Sequence, residues 1–204
     1  MIITSEKPFE KILALLKNED NMFVIGCNVC AAKLRIGGEP EVLEMCRKLE
    51  DSGKHVVGWV LPTAACSIRS FESLVEKNEK ITDACCILVM ACGSGVSSVA
   101  NVVDVPVYCS SDTISLGCSS GGKLISNQCI MCGNCIIDKF GGICPKSQCS
   151  KGLLNGPCGG NVEGMCEIDR LKDCAWTLIY ERLKKIERLD LLYIVHPPQE
   201  HGFK

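Results

Sequence analysis

The chain has 204 residues, 47% of them hydrophobic and 5% aromatic, and a net charge of −2. That length buries about two-thirds of its unfolded surface as one domain or two small ones. The near-neutral charge and scarce aromatics argue against a nucleic-acid-binding protein, which needs basic patches and stacking platforms.

Cysteine is the unusual component, at seventeen residues. The start, Met1-Ile-Ile-Thr-Ser-Glu-Lys-Pro8, has no basic n-region, apolar h-region or cleavage site. No apolar run reaches the roughly 18 residues of a membrane span. The expectation is a cytoplasmic protein, in which thiols stay reduced. An odd number of them then points to metal ligation rather than to a disulfide framework. Thiolates in such number also suggest an anaerobic host, because oxidation follows thiolate character and access.

In chain order, Pro8 suits the start of a helix over 8–17 with Phe9, Ile12, Leu13 and Leu16 on one face. Asn21 to Gly26 predicts a first strand. Glu39-Pro40 opens a helix with Val42, Cys46 and Leu49 on its core face and Gly53 as its stop. His55 to Leu61 is a second strand, followed by a helix over 68–77 with Ile68, Phe71 and Leu74 facing inward. Cys85 to Ala91 is a uniformly apolar third strand, which fits a strand covered on both faces. A short helix over 96–102 and a fourth strand over 105–108 complete the alternation. The expected fold class is α/β, a parallel sheet with helices on both faces, followed by a cysteine-rich, metal-stapled domain.

In such sheets ligands gather beyond the carboxyl ends of the strands. Cys27 and Cys30 follow the first strand, Cys66 the second and Cys92 the third, so these four are read as one cluster site. Cys109 and Cys118 near the same edge are alternatives to Cys66. A thioredoxin-like pair at Cys27 and Cys30 is a rival reading, but it gives Cys66 and Cys92 no reason to share that edge. Gly93-Ser-Gly95-Val-Ser-Ser98 with Asp112 partly imitates a dinucleotide fingerprint, although Ser98 stands where its third glycine belongs. A turn at Gly93 and Gly95 that lets backbone amides approach a cluster explains the same residues. Cys46, Cys85 and Cys86 read as packing.

Cys118-Ser-Ser-Gly-Gly-Lys123 reads as a linker, dividing an α/β domain (1–122) from a cysteine-rich domain (123–204). Eight cysteines fall between Cys129 and Cys174, where no run is long or periodic enough to build a core. Cys129-x2-Cys132-x2-Cys135 is the opening of a bacterial ferredoxin signature. Its usual x3-Cys-Pro continuation is replaced by eight residues before Cys144-Pro145, which leaves the fourth ligand open. Zinc is the alternative, with Cys144 and Cys149 joined by Cys158 and Cys166 or Cys174. In Gly156-Pro-Cys158-Gly159-Gly160 the glycines permit tight turns whose amides, at Gly156 and Gly159, donate to sulfur. Cys174-Ala-Trp176 opens the longest expected helix, 173–190, with Trp176, Ile179, Tyr180, Leu183, Ile186 and Leu189 on one stripe. The tail from His196 to Lys204 reads as disordered or as an arm that orders on a partner.

The run Cys144-Pro-Lys-Ser-Gln-Cys149 through Gly156-Pro-Cys-Gly-Gly160, then Gly164-Met-Cys166-Glu and Asp173-Cys-Ala-Trp176, resembles the cysteine-rich C-terminal domain of methylenetetrahydrofolate reductase. The segments around Cys27, Cys66 and Cys92 resemble the rest of a small subunit built on that domain. The resemblance implies an accessory, iron–sulfur and possibly zinc-containing subunit, with two or three 4Fe–4S clusters. It implies a separate flavin-bearing catalytic subunit that makes methyltetrahydrofolate in the Wood–Ljungdahl pathway of acetogenic and related anaerobic bacteria. A further electron-donor subunit would complete the complex. By the same resemblance Cys129, Cys132, Cys135, Cys144, Cys149, Cys158, Cys166 and Cys174 are the metal-binding positions of the second half. The chain itself shows no complete phosphate loop and no nucleophile–base pair, so hydride chemistry is expected of the partner.

Overall fold

The computed structural model describes residues 1–120 and 123–198, apart from side-chain exposure at 70, 71, 75–77, 79, 120 and 123. It divides into two compact units, Met1–Ile114 and Ser115–Lys204. The first begins with β1 (Ile2–Glu6), α1 (Phe9–Leu15), β2 (Asn21–Ile25), α2 (Cys30–Lys33) and α3 (Glu39–Asp51). It continues with β3 (His55–Val60), α4 (Ile68–Lys77), β4 (Cys86–Val89), α5 (Gly93–Ala100) and β5 (Val107–Cys109).

Four strands pair in the order β3-β2-β4-β5, and every pairing is parallel. Because successive side chains alternate across a strand, the sheet buries one apolar set on each face. Phe23, Ile25, Ile87 and Val89 join Ala65 and Val99 on one side. Met22, Val24 and Leu88 join Ile12, Leu16, Val42 and Leu49 on the other. Cys46 lies in this second cluster, and burial raises its thiol pKa to about 11. α1, α3 and α4 form where the apolar periodicity placed them, with α3 closed by Gly53 at φ +81°, whereas α5 begins at Gly93 rather than at Val96 and α2 was not expected. Ile68 departs from expectation: it is 42% exposed rather than inward, and Phe71 falls outside the described side chains.

A second sheet has the order β1-β6-β7, where β6 is Ser111–Ser120 and β7 is Lys123–Cys129. The boundary between the two units falls within β6. The stretch expected as a linker is therefore largely strand, with Cys118 to Ser120 in β6 and Lys123 in β7; residues 121–122 lie outside the described ones. β6 and β7 are antiparallel, with Cys118 opposite Ile125.

The second unit has two further helices, α6 (Pro145–Gln148) and α7 (Ala175–Lys185). Its apolar core is small: Phe140, Cys174, Trp176, Ile179 and Leu183 are the buried members. Phe140 meets Trp176 edge-on at 5.7 Å. α7 is shorter than predicted, because the chain turns at Glu187 with φ +57°. Ile186 is exposed as a result, and α3 is the longer helix. The tail is tied down as far as His196, whose N–H donates to Asn155 Oδ1 (2.7 Å) while Asn155 Nδ2 donates to the His196 carbonyl (2.9 Å). His201 lies outside the described residues. Among the described residues no helix is long and apolar enough to cross a membrane.

Candidate metal centres

The carboxyl ends of β2, β3 and β4 carry the first set of thiols. Beyond β2, the Gly26 N–H donates to the Val60 carbonyl (2.9 Å), Cys27 to Gly37 (2.8 Å) and Asn28 to Pro62 (3.1 Å). This folds the segment back over the sheet edge and leaves Cys27 7% exposed. Gly37 sits so close to β4's exit that a Cβ would lie 2.0 Å from the Met90 carbonyl oxygen, so no other residue fits there. Cys30 opens α2, and the Ile2 N–H donates to its sulfur at 3.4 Å.

Cys66 and Cys92 are brought to the same edge by α5. A Cβ on Gly95 would approach the Ala65 and Ala91 methyls at 3.1 and 3.0 Å, so the glycine lets the helix lie directly on the Cys66 loop. Ser98 Oγ donates to the Cys66 carbonyl at 3.3 Å. Cys92 is the residue just before α5, where the helix amides favour negative charge. Burial raises the Cys66 pKa, and the charges of Cys27, Cys92 and Cys30 raise it further.

Cys109 stands apart from this set in its partners: Lys7 Nζ donates to its sulfur at 3.4 Å and also pairs with Asp112. Cys118 belongs to the stretch of the second unit. The Gly93 N–H is committed to Thr113 Oγ1 at 2.8 Å, and Gly95 serves packing.

The second set is built around the end of β7. Met131 and Gly133 take φ of +54° and +76°, which curls Cys129-Ile-Met-Cys132-Gly-Asn-Cys135 into a tight loop. The Met131 N–H donates to Cys129 Sγ at 3.3 Å. The eight residues before Cys144 include a 3-10 turn, Ile137–Phe140, which holds buried Phe140. Cys144 then precedes α6, which is clamped to β7. Ser147 Oγ donates to the Gln128 carbonyl (2.9 Å) and Gln148 Nε2 to that of Asn127 (2.8 Å).

As a result Cys129, Cys132, Cys135 and Cys144 line one cavity of about 210 Å³ together with Lys146. Cys144 thus lies at the same cavity as the three closely spaced cysteines, whose fourth partner spacing left open. The Cys132 thiol pKa is lowered by backbone hydrogen bonding at Asn134, with help from the Lys146 charge. Lys146 Nζ is buried and meets no oxygen or nitrogen acceptor, its interaction being with the Cys132 thiol. Four thiols lining one cavity and a buried ammonium beside one of them fit an anionic, polynuclear iron–sulfur cluster.

Cys149, Cys158, Cys166 and Cys174 line a different and much smaller cavity, about 20 Å³. Short bridges between Val162 and Met165 and between Met165 and Asp173 fold this segment. The Cys166 N–H donates to the Lys172 carbonyl (2.8 Å) and Cys174 to that of Gly164 (2.7 Å). Cys166 is lowered by its contact with the Ser150 hydroxyl, then by backbone groups at Asp169 and Ile168. Cys158 donates to Glu167 Oε2 at 3.3 Å. Of the cysteines that sequence offered as a zinc set, Cys144 lines the other cavity. Gly156 and Gly159 hold φ of +115° and +76°, and a Cβ at either would meet nothing within 4 Å, so it is the turn that demands them.

One group was missed by sequence reading. Glu19, Cys85 and Cys86 bring three potential ligand atoms within 4.8 Å of one another, the only such group among the described residues. It lies at the start of β2 and β4, and the adjacent Cys85-Cys86 pair was its one sequence signal. Each atom has other ties: Tyr108 donates to Glu19 Oε1 (2.7 Å), Cys85 to the Asn21 carbonyl (2.7 Å), and burial lifts Cys86 to about 12.

No curated protein and no solved structure matches the chain. The family model described as methylene-tetrahydrofolate reductase C terminal matches residues 108–202, which include all eight cysteines of the last two sets. Over this part the chain is similar to the C-terminal region of methylenetetrahydrofolate reductase.

Proposed function

We propose that the chain is the electron-transfer subunit, binding iron–sulfur clusters, of a methylenetetrahydrofolate reductase complex whose catalytic subunit bears the flavin. The observation that carries this reading is the cavity where Cys129, Cys132, Cys135 and Cys144 meet. The set at Cys27, Cys30, Cys66 and Cys92 gives a second cluster site, in the other unit. Bound there, such clusters supply reversible one-electron transfer. This chain's residues hold them and bias them: the Met131 and Ile2 amides donate to Cys129 and Cys30 sulfur and stabilise added negative charge. Reduction of methylenetetrahydrofolate to methyltetrahydrofolate takes two electrons and two protons. The chain would pass the electrons singly from a low-potential external donor to the partner's flavin, in the cytoplasm and in the Wood–Ljungdahl setting its resemblance implies.

The third set favours zinc, a redox-inert scaffold within the same subunit. A cavity of about 20 Å³ admits a single ion, not a polynuclear cluster. Tetrahedral zinc holds thiolates about 3.8 Å apart, and no three of these sulfurs lie within 4.8 Å. Binding would therefore ionise Cys158, free it from Glu167 and draw the four inward.

The test is delivery of electrons to the flavin. Anaerobic complex mixed with a reduced low-potential iron–sulfur protein should bleach its flavin. The catalytic subunit alone should bleach at least a hundredfold more slowly. Equal rates with and without this chain would defeat the electron-transfer reading.

A further inference from the structure

We infer that Lys146 is the charge partner of the group held by Cys129, Cys132, Cys135 and Cys144, and that it sets how readily that group accepts an electron. This rests on the cluster reading given above. Lysine is almost never buried unless paired, because an ammonium taken from water must find compensating charge. Lys146 Nζ is buried, meets no oxygen or nitrogen acceptor, and belongs to a side chain that lines the cavity and interacts with the Cys132 thiol. Apart from the cysteines, it brings the only ionisable side chain among the residues around that cavity. The nearby Asp138 and Lys139 pair with each other at 3.0 Å.

The placement is built into the backbone. Pro145 opens α6, and the bonds from Ser147 and Gln148 to β7 fix the helix turn that carries Lys146. The side chain cannot leave the site by movement of its own helix without breaking both. Four thiolates leave a 4Fe–4S group negative in its oxidised state, and one-electron reduction adds another negative charge. A fixed cation at the cavity wall attracts the reduced form more strongly than the oxidised one. Lys146 therefore favours reduction, while the neutral amides donating to sulfur add to the same bias.

The experiment is an anaerobic redox titration of the intact complex followed by paramagnetic resonance, with dithionite as reductant. The signal missing from the Cys132→Ser protein identifies this cluster. Lys146→Met should keep its iron and sulfide but lower the reduced-to-oxidised ratio at fixed potential about tenfold, a shift of about 59 mV for one electron. Lys146→Arg should return the ratio toward that of the unmodified protein. A loaded Lys146→Met cluster with an unchanged midpoint overturns the proposal. So does loss of the cluster from both Lys146→Met and Lys146→Gln with retention in Lys146→Arg, which would make Lys146 an assembly residue. Unmodified complex without iron or sulfide at this site would instead defeat the cluster reading itself.

Discussion

Stripped of metal, the protein should lose the fold of Ser115–Lys204 while the parallel sheet of Met1–Ile114 survives. The reason is the disparity in core. The sheet has an apolar layer on each face, whereas the second unit's apolar cluster has five buried members among the described residues, Cys174 included. A structural zinc site alone contributes about 10–16 kcal/mol, as much as the whole stability of a typical domain, about 5–15 kcal/mol. The chain has two tryptophans, so Trp59→Phe leaves Trp176, 6% exposed, as the sole reporter. Removal of metal under reducing conditions should shift its emission to that of a solvated indole. Amide protection should disappear from α7 and persist in β2 and β4. A metal-free chain that still buries Trp176 would show that the thiols do not hold this unit.

The second large effect separates the three thiol sets. Cys132→Ala should remove about four iron and four sulfide per chain and leave the other sets loaded. Cys66→Ala should do the same for the first unit. Cys109→Ala should lose nothing, because its sulfur is engaged by Lys7 rather than by the Cys66 set. Cys46→Ala should also keep all metal, since Cys46 packs within the α3 core. If Cys109→Ala rather than Cys66→Ala lost the cluster, the fourth ligand of the first set would have to be reassigned.

Much of this was legible because it depends on local chemistry. Apolar strands alternating with one-faced helices dictate a parallel sheet, and such a sheet presents its strand ends along one edge; that Cys27, Cys30, Cys66 and Cys92 lie beyond those ends follows from topology. The hairpin of β6 and β7 was not legible, because Ser, Gly and Cys dominate it and its apolar alternation is weak. The short β1 was missed for a similar reason: five residues carry little periodic signal. The place of Cys144 at the cavity of Cys129, Cys132 and Cys135 was not legible, because the residues between turn at Ile137–Phe140 around buried Phe140. Lys146 depends on α6 being pinned to β7, a tertiary clamp. The Glu19, Cys85 and Cys86 group exists only through strand register, which sets Met22 beside Cys86. The helix stripe ran past the true end of α7 because nothing in the pattern announces the left-handed turn at Glu187.

The most direct measurement of the central claim is the metal and acid-labile sulfide content of anaerobically purified protein, with its catalytic partner present. Two cubanes and one mononuclear site predict about eight iron, eight sulfide and one zinc per chain. Protein carrying zinc with neither iron nor sulfide would contradict the account.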